Sequence, residues 1–515
     1  MRPPTTSASD TPSPLPAEMS DRIGPMLVKE LRQGLRTKTF LTAFIGFQVV
    51  LLIMVLAGFA AQRNSASGDF LNTAIWSVLM VMLVVITPLR GQFALEKEIR
   101  AGTLELLQIT NLDAWRIVRG KWGALMGEAM LYLTAALPYF TLRYFLGGVQ
   151  ILTDLALLAL TALFSAALTA VVVGLSGFRS VLLRIAIAVG IVALVPMGLS
   201  IVEGLRGARG VAIPFSGSNF GDWWGILAGF LLTLAVTGWS FLQLGARTIA
   251  TQAENHSTSV RLLTLAGIAL LVLLDRTSVD PTKMVGREAM PLFFAFALAI
   301  YACGIFIALT DNSLQSSRIY IPFIRRGLAP LGRLLLYPGW ASGLLYVVLM
   351  SIAPVLLRLM SKHPESVLIG LLVCFNFFAQ PAAITRILMA QRKVRLLSLS
   401  TYITMLVGGA ILSSVLLIAE LAITNADPIV TMMFPIPAMI GIFESEEGLV
   451  IGMQFLSAIV SLGVLVFAAI KDSKFIRLRE LRTRDLLANS HLQDRASDPD
   501  DPPAPGAGES QLSNR

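Results

Sequence analysis

Long apolar runs alternate along this chain with short polar or basic segments. Twelve runs reach membrane-crossing length, at about 40–61, 71–89, 123–146, 152–176, 181–202, 223–246, 260–274, 289–310, 343–360, 366–390, 398–423 and 449–470. A helix needs roughly 20 apolar residues to cross the hydrocarbon core. The pattern therefore predicts an all-α, polytopic helical membrane protein of about twelve transmembrane helices. The run at 260–274 is short and closed by Asp275, so a re-entrant or interfacial segment is the other reading there. Pro138, Pro196, Pro354 and Pro381 interrupt runs without ending them, because neighbouring helices can satisfy the freed backbone groups.

The flanks carry a different periodicity. Between 25 and 38, Leu27, Val28, Leu31 and Leu35 recur every three or four residues, with Lys29, Arg32 and Arg36 on the other side. This predicts a basic amphipathic helix at the membrane surface, or a plain positive flank. Over 471–492, basic residues alternate with Phe475, Ile476, Leu478, Leu481, Leu486 and Leu487, which predicts a second surface helix. Residues 1–20, rich in Pro, Ser and Thr, read as a disordered leader, and 493–515 as a disordered tail. Between them the chain divides into a transmembrane region over 21–250 and a second six-span half over 251–470.

Composition narrows the class further. Of 515 residues, 55% are hydrophobic and 14% charged, whereas a soluble domain carries about 25% charged residues. The mean hydropathy is +0.72. A net charge of +9 would suit nucleic acid only if the basic residues clustered on one face. Instead the Lys and Arg fall mostly in alternate connecting segments, so the positive-inside rule predicts that both termini are cytoplasmic and no nucleic-acid partner is expected. Cys303 and Cys374 lie in apolar runs, and His256, His363 and His491 lie far apart in polar segments, so no metal site is expected.

One connecting segment is longer than a connector needs. Residues 90–122 include Glu96, Glu98, then Gly102-Thr103-Leu104-Glu105-Leu106-Leu107, then Asp113, which can cap a following helix, and Gly120-Lys121 at the start of a span. Gly102 permits a turn, Thr103 can cap a short helix, and the leucines form an apolar knob inside a charged rim. Such an elbow is suited to docking a partner. With Lys29-Glu30-Leu31-Arg32 ahead of the first span, these residues resemble the permease subunits of ABC type-2 exporters, over roughly the first six spans.

That resemblance implies that 25–38 is an interfacial helix and 90–122 a coupling loop. Glu96, Glu98, Gly102, Thr103, Leu104, Glu105, Leu106 and Leu107 would then dock an ATP-binding subunit and catalyse nothing themselves. It also implies a bacterial cytoplasmic (inner) membrane as location and export as direction. Since family members often have six spans per chain, the core is one fused chain or is completed by a second permease chain. No GxxxxGK[ST] loop occurs in the sequence. No cofactor is expected on this chain, and ATP and magnesium belong on the partner.

Glu128 and Glu420 lie within apolar runs and are candidates for a translocation path, since buried charge is costly in a membrane. Snorkelling or pairing with a basic residue is the other reading of Glu128. A stand-alone secondary transporter using these acids is an alternative function. Gly174-Leu175-Ser176-Gly177 resembles the GxSG element of rhomboid proteases, but the histidines lie in loops or the tail, which favours helix packing for these small residues.

Overall fold

A computed structural model describes residues 25–61, 67–101, 113–145, 151–178, 180–207, 220–251, 254–278, 284–311, 317–325, 335–358, 364–391, 399–424, 433–435 and 447–496. Most of these residues are helical, without a strand among them. Ten of the described helices are long and apolar enough to cross a membrane, and the chain is a multi-pass helical membrane protein. They fall into two compact units, 1–250 with 270–296, and 251–269 with 297–515.

The first unit begins with α1 (Pro25–Leu35) and α2 (Lys38–Ala61). The break between them is a cap: Thr37 Oγ1 accepts from the Phe40 N–H at 3.2 Å and donates to Gly34 O at 2.7 Å. The second span runs through α3 (Ser67–Met80), a π-helical stretch over Val81–Ile86, and α4 (Thr87–Gly91). A π turn misaligns carbonyls, and side chains answer here. Thr87 Oγ1 donates to Met82 O at 2.9 Å, and the Ser165 hydroxyl donates to Leu83 O.

A short helix α5 (Glu96–Ala101) follows, then α6 (Ala114–Phe145), α7 (Ile151–Leu175), α8 (Val181–Gly207) and α9 (Phe220–Ile249). As the sequence suggested, Asp113 caps α6, accepting from the Trp115 N–H at 3.4 Å. Helix α6, whose first half carries Arg116, Arg119, Lys121 and Glu128, is not among the ten apolar helices. The Gly174 to Gly177 element serves close packing. A Cβ on Gly174 would collide with the Phe241 carbonyl of α9, and one on Gly177 with the Thr248 hydroxyl.

Helices α10 (Ser257–Ser278) and α11 (Met284–Leu309) contribute to both units. Over Ser257–Asp275, α10 is apolar and long enough to cross a membrane, longer than the 260–274 run read from the sequence. The second unit continues through a 3-10 turn (Ser317–Tyr320), α12 (Ile321–Arg325), α13 (Trp340–Arg358), α14 (Pro364–Gln391), α15 (Leu399–Thr424) and α16 (Glu447–Ala496). The segment 471–492 is continuous with the last span in α16, rather than set apart from it as a surface helix. At 50 residues, α16 is about 75 Å long and outruns a hydrocarbon core of about 30 Å.

Polar side chains join the helices of this unit. Asn376 Nδ2 donates to Gln454 Oε1 at 2.7 Å and to Gln454 O at 2.8 Å. One helical turn along α14, Gln380 Nε2 donates to Met433 O at 2.8 Å. Arg261 is 2% exposed and makes no solvent contact of consequence. Its guanidinium donates to the carbonyls of Leu335, Tyr337 and Gly339, and pairs with Asp311 at 3.1 Å. Asp311 also accepts from the Gly339 N–H at 3.0 Å and from Ser257 Oγ at 2.8 Å. This pair therefore fixes the backbone at the start of α13.

Removing one partner of a buried pair leaves the other uncompensated, at about 3–5 kcal/mol. Asp311→Ala is accordingly expected to lower the thermal unfolding midpoint of the detergent-purified protein strongly. Asn376→Ala, which removes neutral hydrogen bonds worth about 1 kcal/mol each, should lower it less.

Candidate functional site

The segment after the second span is tied down by charge. Glu96, at the start of α5, is 3% exposed. Its carboxylate pairs with Arg100 at 2.5 Å and with Arg184 from the first turn of α8. Burial alone would raise the Glu96 carboxyl, but the hydrogen bonds and charges of Arg184 and Arg100 outweigh it and hold the group below its ordinary value. Arg184 also lies over the Phe93 ring, 5.1 Å from its centroid, and its carbonyl accepts from Gln92 Nε2 at 3.2 Å. Just before α5, the Leu95 N–H donates to Ser176 Oγ at 3.2 Å.

A second set of charges ties α1, α5 and α6 together. Lys121 of α6 is 2.8 Å from Glu98 of α5 and 3.3 Å from Glu30 of α1. One residue type at one position thus bridges three segments. About two turns further along α6, Glu128 pairs with Arg90 of α4, at 2.5 Å and 3.2 Å through the two oxygens. Arg90 also lies over the Phe40 ring, 5.6 Å from its centroid.

Apolar packing reinforces the same junction. Met26, Leu27 and Leu31 of α1 rest on Gly120, Gly123 and Gly127 of α6. A Cβ on Gly123 would fall 2.9 Å from Leu27 Cδ1, and one on Gly127 would fall 2.8 Å from Leu31 Cδ1. The glycines let the two helices approach closely. Part of the apolar face that the sequence assigned to a membrane surface is therefore covered by protein.

The expected site residues separate clearly. Glu30 and Leu31 face α6, while Lys29 and Arg32 are exposed. Glu96 and Glu98 are engaged in ion pairs within the unit. Gly102, Thr103, Leu104, Glu105, Leu106 and Leu107 lie outside the described residues. Glu128 takes the pairing arrangement, held by Arg90. Glu420 is half-buried in the second unit, one turn before α15 ends. Sequence reasoning missed the partners Arg90, Lys121 and Arg184. A usable signal was present: each is a cation at the end of an apolar run, where an unpaired charge at the hydrocarbon edge is unfavourable.

No family model, curated protein or solved structure matches the chain.

Two measurements check this junction. Ionised Glu96 stabilises the fold above the carboxylate range of the unfolded chain, and that contribution is lost as pH falls through the lower folded value. Glu96→Gln should therefore cost about 1–3 kcal/mol at neutral pH, with the gap to wild type closing on acidification. In a variant lacking Cys303 and Cys374, a cysteine at Leu27 should be labelled slowly, and faster by about tenfold once Gly123→Leu displaces α1, a loss of about 1.4 kcal/mol of packing.

Proposed function

We propose that the chain is the membrane-spanning permease subunit of an ATP-driven ABC exporter in a bacterial cytoplasmic membrane, with both termini cytoplasmic. A separate ATP-binding subunit would carry ATP and magnesium and dock on the segment 102–112. The observation that carries the reading is the anchoring on both sides of that segment. Glu96 and Glu98 precede it and are held by Arg184 and Lys121, while Asp113 follows it at the cap of α6.

A force applied to such a segment acts on α6, on α1 through Lys121 and Glu30, and on α8 through Glu96 and Arg184. ATP binding must favour one arrangement of these helices over another, or it shifts nothing. The resemblance of Gly102 to Leu107, and of Lys29 to Arg32, to ABC type-2 permeases supports the same reading. The reading of Glu128 as a proton-binding group of a stand-alone secondary transporter is less well supported, because Arg90 already occupies that carboxylate.

A tagged protein captured from native membranes in mild detergent should bring down a P-loop ATPase. Leu106→Asp combined with Leu107→Asp should reduce that recovery by at least tenfold without changing membrane insertion, as loss of a central apolar contact worth about 2 kcal/mol or more does at an interface. Equal recovery with the double variant removes the segment from the coupling. Transport in inverted vesicles that stops when the proton gradient is collapsed, with ATP present, points to the secondary carrier instead.

A further inference from the structure

Within the first unit, α6, α7 and α9 enclose a laterally open groove of about 340 Å³. Its walls are apolar, with Leu163 and Ala167 from α7 and Leu231, Ala235 and Gly238 from α9. Three tryptophans line it. The Trp115 and Trp239 rings lie 4.6 Å apart, and Trp122 is fixed by its indole N–H, which donates to Ala166 O at 2.9 Å. Among the described residues, Arg119 is the charged one that lines the groove. It is exposed, and among the described residues it forms no ion pair. Arg116, also exposed, precedes it by one turn of α6.

Three features of this arrangement converge on one ligand chemistry. The groove follows α9 from Leu231 to Leu242, about 16 Å at the helical rise, which is half of a hydrocarbon core of about 30 Å and so one leaflet deep. Trp115, in the first turn of α6, and Trp239 beside it give their end of the groove the composition of a membrane–water boundary, where amphipathic rings settle. At that end Arg119, which forms no ion pair among the described residues, is placed to meet a lipid headgroup, because basic residues at such a boundary attract anionic ones. We infer that the groove is a binding site for an anionic phospholipid, with an acyl chain along α7 and α9 and the phosphate on Arg119. This inference does not rest on the exporter reading.

Tryptophan quenching by lipids brominated on their acyl chains reports on the site through three of the chain's seven tryptophans. The full-length protein would be reconstituted in phosphatidylcholine vesicles containing a minor fraction of either brominated phosphatidylglycerol or brominated phosphatidylcholine. Brominated phosphatidylglycerol is expected to reach half-maximal quenching at about a fivefold lower mole fraction, the size of effect one basic residue exerts on an anionic headgroup. Arg119→Gln should abolish the preference and Arg119→Lys should keep it. Ala235→Phe, which fills the groove from an exposed position, should weaken quenching by both lipids. Equal quenching by the two lipids in the unaltered protein overturns the proposal, as does a preference that survives Arg119→Gln. Displacement of the lipid by soluble glycerol phosphate would assign Arg119 to free phosphate and also overturn it. So would protection of the tryptophans from both lipids in a cross-linkable dimer, which would give the groove to a second copy of the chain.

Discussion

Lys121 is the residue on which the first unit turns. A single ammonium group, almost wholly buried, is shared between carboxylates from α1 and α5 while its own backbone belongs to α6. At the edge of an apolar bundle a charge must be answered by another charge or by water, and burial removes the water. The arrangement is consequently reciprocal. Lys121 needs Glu30 and Glu98 as much as they need it, and the three segments are held in register by that mutual need. Glu96 with its arginines and Glu128 with Arg90 repeat the solution on either side.

Packing makes these pairs possible. Helix α1 can bring Glu30 to Lys121 only because Gly120, Gly123 and Gly127 leave its leucines room against α6. The glycines and the charges are thus parts of one device, small residues setting the distance and ion pairs setting the register. In the second unit the same requirement is met with neutral groups, Asn376 against Gln454 and Gln380 against Met433 O, and with the fully enclosed Arg261 and Asp311. In both units these longer polar side chains join one helix to another.

Much of the architecture was legible from hydropathy alone, because apolar runs of about twenty residues have few other uses. Each of the twelve runs corresponds to a described helix, ten of them apolar throughout a crossing length. The amphipathic helix at 25–38 was legible too, although its period could not say whether lipid or protein would cover the apolar face. Leu27 and Leu31 meet glycines that lie almost a hundred residues further on, and no local pattern announces such a meeting. The same holds for Glu96, whose neighbours in sequence suggested an exposed charged rim but whose main partner, Arg184, comes from another span. Arg261 escaped because its acceptors are mostly backbone carbonyls, which carry no sequence signature.

The π-helical stretch at Val81–Ile86 gives the second span an internal change of phase. Such a stretch accommodates about one residue more than an α-helix of the same rise, so everything beyond it is turned by roughly 100° about the axis. Trp76, which packs against Phe140, precedes that offset, and Arg90, which pairs with Glu128, follows it. The span behaves as two helices spliced with a fixed rotation. Shortening the stretch by one residue would keep its hydrophobicity and length nearly unchanged, yet swing the Arg90 guanidinium off the side of the bundle where Glu128 waits.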